Sequence, residues 1–186
     1  MTAPVRPRHA ASLILLRGQG PEAEVLMGRR PRKSRFAPDV FVFPGGAVDP
    51  ADRLNPRPLS PVCARLTNAP GRLAGALAAA AVRETLEETG LLLPEEAPLT
   101  LAARAITPTN SPVRFHARFF RTDADHATGT LGDSDELSEL AFRPLAEARK
   151  LPLFDITEAI LDALIGDDGP FLFTYARGKP RLTRLS

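Results

Sequence analysis

The stretch Arg83-Glu84-Thr85-Leu86-Glu87-Glu88-Thr89-Gly90-Leu91 decides how this 186-residue chain is read. On a helix, Glu84, Glu87 and Glu88 stand at i, i+3 and i+4, so three carboxylates share one face. Like charges on one patch repel. Glu87 and Glu88 also fall in the last turn before Gly90, where the helix dipole is already negative. Arg83 precedes Glu87 by four residues, the weaker orientation for a helical ion pair. A sequence selected for stability alone would avoid this arrangement, and a divalent cation against the face would resolve it. Local conflict of this kind is expected where function overrides folding. The competing reading is a solvated, charged helix face. The full pattern Arg-Glu-x-x-Glu-Glu-x-Gly is stricter than that, arising by chance about once in 10⁴ chains of this length. A second element lies upstream, where Phe43-Pro44-Gly45-Gly46 closes the apolar run from Val40.

Working outward, residues 73–89 read as the helix that carries the acids. They are rich in Ala and Leu, and the run Ala78–Ala81 lets the helix approach a sheet closely. Gly90 supplies its stop. Residues 11–16, 24–28, 40–43, 99–106, 113–121 and 140–142 read as strands. In 113–121, Val113, Phe115 and Ala117 alternate with Arg114, His116 and Arg118, which predicts one buried and one wet or pocket-facing side. Residues 50–72 are Pro-rich without clear periodicity. They read as a long loop with at most a helical turn near 62–66, serving as a lid, a contact or a plain surface insertion. Pro144 starts a short helix through Arg149. Residues 155–165 form a second clear helix with Asp155 and Glu158 in capping-box spacing, and 171–185 form a terminal hairpin. The expectation is a loose lead-in at 1–8 and a single domain over 9–186, carrying the insert at about 50–72 and a helix-hairpin extension at about 152–186. Strands mixed with helices favour an α/β sandwich with a central mixed sheet between helices.

Composition narrows the function classes. A net charge of +2 gives no global nucleic-acid signature. Basic residues do concentrate at Arg29, Arg30, Arg32, Lys33 and Arg35, either as a solvated loop or as a means of capturing a phosphate-bearing substrate. No apolar run reaches membrane-spanning length, and Cys63 is the single cysteine, so no intrachain disulfide forms. The expected setting is a soluble, cytoplasmic protein.

Together the glycine turn and the acidic helix resemble the Nudix hydrolase family. Its signature is a glycine, a glutamate six residues on, then R-E-U-x-E-E-x-G-U, with U a bulky aliphatic. The downstream half matches at Arg83, Glu84, Glu87, Glu88, Gly90 and Leu91, with Thr85 in the first U slot. The upstream half departs. Gly46 lies 37 residues before Arg83 where the family has fourteen. Gly75 stands where a glutamate is expected eight residues before the arginine. Asp49 is near Gly46 but on the far side of the insert. A split box of this kind is similar to the branch containing peroxisomal-type coenzyme A diphosphatases, as is the segment Arg114–Phe120. The His- and Gln-containing motif that marks coenzyme A hydrolysis is absent from residues 32–40.

The resemblance implies hydrolysis of a diphosphate linked to a moiety X, with Mg²⁺ or Mn²⁺ as cofactor and coenzyme A-type compounds among the candidate substrates. It implies metal ligation by Glu84, Glu87, Glu88 and the Gly46 carbonyl. Arg83 would orient Glu84, and Glu84 would be either a third ligand or the base. Glu136 is the best-placed acid of the loop 133–139 to complete the site, with Asp135 and Glu139 as alternatives. Arg30, Arg35 and Phe115 are the candidate substrate contacts. Phe36, Phe120 and His116 are weaker ones, because aromatic residues are as readily core. The implied partner is a small-molecule diphosphate, with no nucleic acid and no membrane, bound by a monomer or homodimer. The alternative is a Nudix-fold binding or regulatory module with weak or no catalysis, which the missing upstream glutamate would support.

Overall fold

The computed structural model describes residues 5–33, 38–111 and 113–186. Its organising strand is β1 (Arg8–Arg17), in which Ala11, Leu13 and Leu15 pack into one apolar cluster and Ile14 into another on the opposite face. A strand covered on both faces needs a continuous apolar run, which 13–16 supplies. β1 pairs antiparallel with β2 (Glu24–Arg29) and β4 (Gly45–Ala47), and parallel with β7 (Phe115–Asp123). The sheet order is β11 (Lys179–Arg184), β10 (Phe171–Ala176), β6 (Thr100–Ile106), β7, β1, β2, β3 (Phe41–Val42), with β4 on β1 and β9 (Ser138–Pro144) on β2. β10 and β6 are also parallel, so the sheet is mixed. β5 (Leu91–Leu92) and β8 (Thr128–Gly129) form a separate small ribbon.

Helices cover both faces of the sheet. α2 (Pro61–Thr67) and α3 (Leu73–Thr89) pack into the cluster around Leu13 and Leu15, and α1 (Pro50–Leu54) lies against α3. α4 (Leu145–Ala148) and α5 (Asp155–Ile165) pack into the cluster around Ile14. The alanine run works as its bulk suggests, since Ala76, Ala78, Ala80 and Ala81 are wholly buried. Thr85 is also fully buried, and its hydroxyl donates to the Ala81 carbonyl at 2.7 Å, so a polar residue fills the aliphatic slot at little cost. α3 ends at Gly90 with φ +75°, where an added Cβ would lie 2.6 Å from the Thr130 carbonyl oxygen.

Four expectations change. The stretch 50–72 is two helices joined by a short link, not a loop. α2 is capped by Ser60, whose side chain accepts from the Cys63 N–H, and Cys63 is buried with its thiol pushed upward by that burial. The lead-in is shorter than expected, because Arg8 already belongs to β1 and the Val5 carbonyl accepts from Arg114 at 2.8 Å. Asp155 does not cap α5; it is the first helical residue, after Phe154. The wet side expected on β7 is closed as well. Arg118 is 1% exposed and donates to the carbonyls of Thr67 at 3.1 Å, Asn68 at 3.2 Å and His116 at 3.1 Å. The open carbonyls at the end of α2 need donors, and an arginine on the sheet face supplies them. His116 shares that face, stacked near His9 with ring centroids 5.8 Å apart. Burial first, then Arg118, pushes it down to about 4.

Arg118→Met should therefore destabilise the fold by about 1–3 kcal/mol, because it strands buried carbonyls. Urea denaturation checks this, and an unchanged midpoint would refute the structural role of Arg118.

Candidate active site

The last two turns of α3 meet the glycine turn that opens β4. The Gly45 N–H donates to Glu88 Oε2 at 2.8 Å, and a Cβ on Gly46 would lie 2.3 Å from Glu84 Oε1. A side chain on Gly46 would push the Glu84 carboxylate out of its position. Glu88 is 5% exposed. Its carboxyl is pushed up to about 8, chiefly by burial, with the charges of Glu84 and Glu136 adding and the Gly45 N–H and Arg30 opposing. Glu84 is raised too, again first by burial, against the pull of Arg83. A buried acid and a half-buried one thus stand together with a third, Glu136, near enough to be felt by both.

Arg83 is the hub beside them. Its Nη1 donates to Glu84 Oε1 at 3.0 Å and Glu87 Oε2 at 2.9 Å, and its Nη2 to the Ala47 carbonyl at 3.1 Å. Its Nε and Nη2 form a two-pronged pair with Asp52, at 3.1 Å each. Asp52 is 4% exposed and also accepts the Asp49 N–H at 2.8 Å. The pair with Asp52 is the main reason the guanidinium is held firmly protonated. Asp52 is the acid that counting back from Arg83 misses. Counting six residues forward from Gly46 reaches it directly. The insert therefore begins after Asp52, and α1 belongs to the motif. Gly75 is no lost glutamate. Its carbonyl accepts the Arg57 N–H at 3.0 Å, and a Cβ there would lie 2.7 Å from the Arg57 carbonyl oxygen. It is the place where the insert crosses α3 at close range.

The other predicted residues divide. Glu87 is drawn to Arg83, and among the described residues no three acidic, His or Cys side chains are preassembled around a cation. The donors at Glu84, Glu88 and the glycine turn are nonetheless hard oxygens, in a cluster whose acids outnumber the Arg83 and Arg30 guanidiniums acting on them, which is the chemistry Mg²⁺ or Mn²⁺ fits. Glu139 is tied to Arg29 at 2.8 Å, leaving Glu136 as the loop acid that couples to the pair. Of the basic run, Arg29 and Arg32 pair with Asp39, at 3.4 Å and 3.3 Å. Arg30 alone of the described members lines a cavity of about 600 Å³ that opens beside Gly45 and Gly46. Phe115 also lines it, whereas Phe120 is wholly buried in core. Arg35 and Phe36 lie outside the described residues. His116, on the opposite face of β7 from Phe115, does not reach this cavity.

A family model described as the NUDIX domain matches residues 6–164. The chain belongs to the NUDIX family. A crystal structure of a NUDIX hydrolase from Alicyclobacillus acidocaldarius is 28% identical, with a TM-score of 0.68 over 87% of this chain and 92% of that one. The MutT protein of Bacillus halodurans shares the fold at 16% identity and TM-score 0.58, over 94% of this chain and 97% of that one. The NUDIX domain of Shewanella oneidensis NrtR, solved with ADP ribose, shares it at 15% and 0.54, over 86% and 87%. Among curated proteins no match was found. This NUDIX protein is a pyrophosphohydrolase. Its family generally cleaves nucleoside diphosphate derivatives with divalent metal ions.

Two outcomes follow from the geometry. Asp52→Asn should leave the fold intact and lower turnover roughly 10–100-fold, because Arg83 loses its anchor and Glu84 its orientation; steady-state kinetics alongside circular dichroism checks it. In chelator-treated protein, the raised Glu88 carboxyl stabilises the fold fully below its unfolded value, and that contribution is lost as pH rises through about 8. Glu88→Gln should flatten this decline and raise the Tm at pH 9 by roughly 2–4 °C, about 1 kcal/mol. A melting series from pH 5 to 9 decides.

Proposed function

We propose that this NUDIX enzyme hydrolyses a diphosphate linked to a moiety X with Mg²⁺ or Mn²⁺ bound at Glu84, Glu87, Glu88 and the Gly46 carbonyl, and with X seated in the cavity beside the glycine turn. The carrying observation is the convergence of a buried Glu88 and a half-buried Glu84 on that turn, both raised first by burial, with Arg83 shared among Glu84, Glu87 and Asp52. A bound ion would neutralise phosphate oxygens and acidify the attacking water. The chain supplies the rest. Arg83, anchored on Asp52, fixes Glu84. A carboxylate raised by burial suits a base working near neutral pH, which makes Glu84 the first candidate for that role in place of metal ligation; Glu136, the loop acid that couples to the pair, is the second. Glu87 would leave Arg83 to join the ion, while Asp52 keeps the guanidinium in place. Arg30, at the cavity wall, would meet the phosphates.

The split box favours including coenzyme A-type compounds among the substrates tested. A binding module without catalysis loses its main support, since Asp52 fills the place of the acid that seemed missing. Cys63, buried and free, suits a reducing cytosol, which we assign as the compartment. Among the described residues no helix is long and apolar enough to cross a membrane.

The test is a phosphate-release screen over nucleoside diphosphate sugars, dinucleotides, nucleoside triphosphates and coenzyme A, with Mg²⁺ and Mn²⁺. Glu88→Gln and Glu87→Gln should each lower turnover by about 10²-fold or more while the proteins stay folded. Full turnover in either variant would refute the assignment.

A further inference from the structure

One wall of the 600 Å³ cavity is built by Phe154 and Asp155 at the start of α5 and by Phe173 and Tyr175 on β10. β10 lies beyond the residues that the family model matches, so part of this wall is not specified by the family pattern. The Tyr175 hydroxyl donates to Asp155 Oδ2, and the Ile156 N–H donates to Asp155 Oδ1 at 2.8 Å. The Tyr175 ring stands edge-on to Phe173, with centroids 5.5 Å apart and planes at 85°. Burial first, and then the bond to Asp155, push the phenol above its ordinary range, so it remains a donor. The carboxylate is thus held in one orientation from both sides.

An ionised carboxylate offers about four acceptor positions. Two on Asp155 are taken, and this exposed residue on the cavity lining keeps acceptor capacity for a ligand. Most of the remaining lining is apolar and includes Phe43, Phe115 and Phe119, with Arg8 and Arg30 elsewhere on the wall. Such a chamber suits a planar, uncharged body carrying an N–H edge. At the Asp155 wall itself a phosphate or any group presenting only acceptors is disfavoured, because it would meet the carboxylate without a donor.

We propose that Asp155, positioned by Tyr175, is the specificity determinant for the non-phosphate half of the substrate, selecting a nucleobase that presents an amino edge. The inference rests on the pyrophosphohydrolase reading above and adds its substrate class. It makes Asp155 a binding residue and Tyr175 a positioning residue.

The experiment is isothermal titration of the full chain in Mg²⁺ with three matched pairs of nucleoside 5′-diphosphates. These are adenosine against purine riboside and guanosine against inosine, which differ only by the amino group, and cytidine against uridine, which exchanges the amino group and the N3 acceptor for a carbonyl and an N3–H. The native protein should favour the amino member of at least one pair by about tenfold or more, the range of a hydrogen bond to a charged group. Asp155→Ala should bring that ratio to within about twofold, and Tyr175→Phe should reduce it by roughly threefold or more. Asp155→Leu, similar in size and without any acceptor, serves if the alanine variant melts early. The proposal fails if no pair is separated, or if the preference survives in a folded Asp155 variant. Mn²⁺ affinity reports on Glu84 and Glu88 separately and should be unchanged in Asp155→Ala. A native protein that sorts the bases yet releases no phosphate would fault the catalytic reading and leave this one standing.

Discussion

The grip of Arg83 on Asp52 is the contact on which the site depends. A guanidinium presents its donors in a fixed fork. Here one edge is spent on a nearly inaccessible carboxylate. With that edge committed, the other nitrogen can reach Glu84 and Glu87 without wandering. The same side chain reaches the Ala47 carbonyl and so ties the end of the glycine turn to α3. A lysine could balance the charge but could not satisfy so many acceptors from one rigid plane.

The fold places this network by close approach rather than by bulk. Alanines let α3 lie near β1, Gly45 lets the turn lie close on β1, and Gly46 leaves room for the Glu84 side chain of α3. Gly75 lets the returning insert cross the same helix. Glu88 is consequently buried against the backbone of the glycine turn, and the cavity opens beside that same turn. The other helical layer contributes differently: α5 and the neighbouring β10 add aromatic surface and a fixed carboxylate, so the two faces of the sheet divide the work between charge and shape.

Much of this was legible in the residues. Helix 73–89 and helix 155–165 have the predicted limits, because their propensity and stops are local signals. The glycine turn and the acidic face were readable as a pair for the same reason. What escaped was set by distance in sequence. Asp52 was overlooked because spacing was counted across an insert from the wrong end. The burial of Arg118 was invisible because its acceptors lie about fifty residues away, at the end of a helix that Pro-rich composition disguised. Asp155 looked like a cap by spacing alone. Its partner, the Tyr175 hydroxyl, arrives from another strand twenty residues on.

β1 has a consequence of another kind. Its longest partnership is the parallel pairing with β7, where Arg8 meets Phe115 and Leu16 meets Asp123. That match spans more than a hundred positions, and long-range parallel pairing forms slowly. During synthesis Leu13, Ile14 and Leu15 therefore emerge well before the strand that shelters one of their edges. Until then the hairpin with β2 is the available local cover, and the nascent chain carries a sticky apolar ribbon. Ribosome-associated holding factors, or slower elongation between the two segments, would bear most directly on how much folded protein a cell recovers.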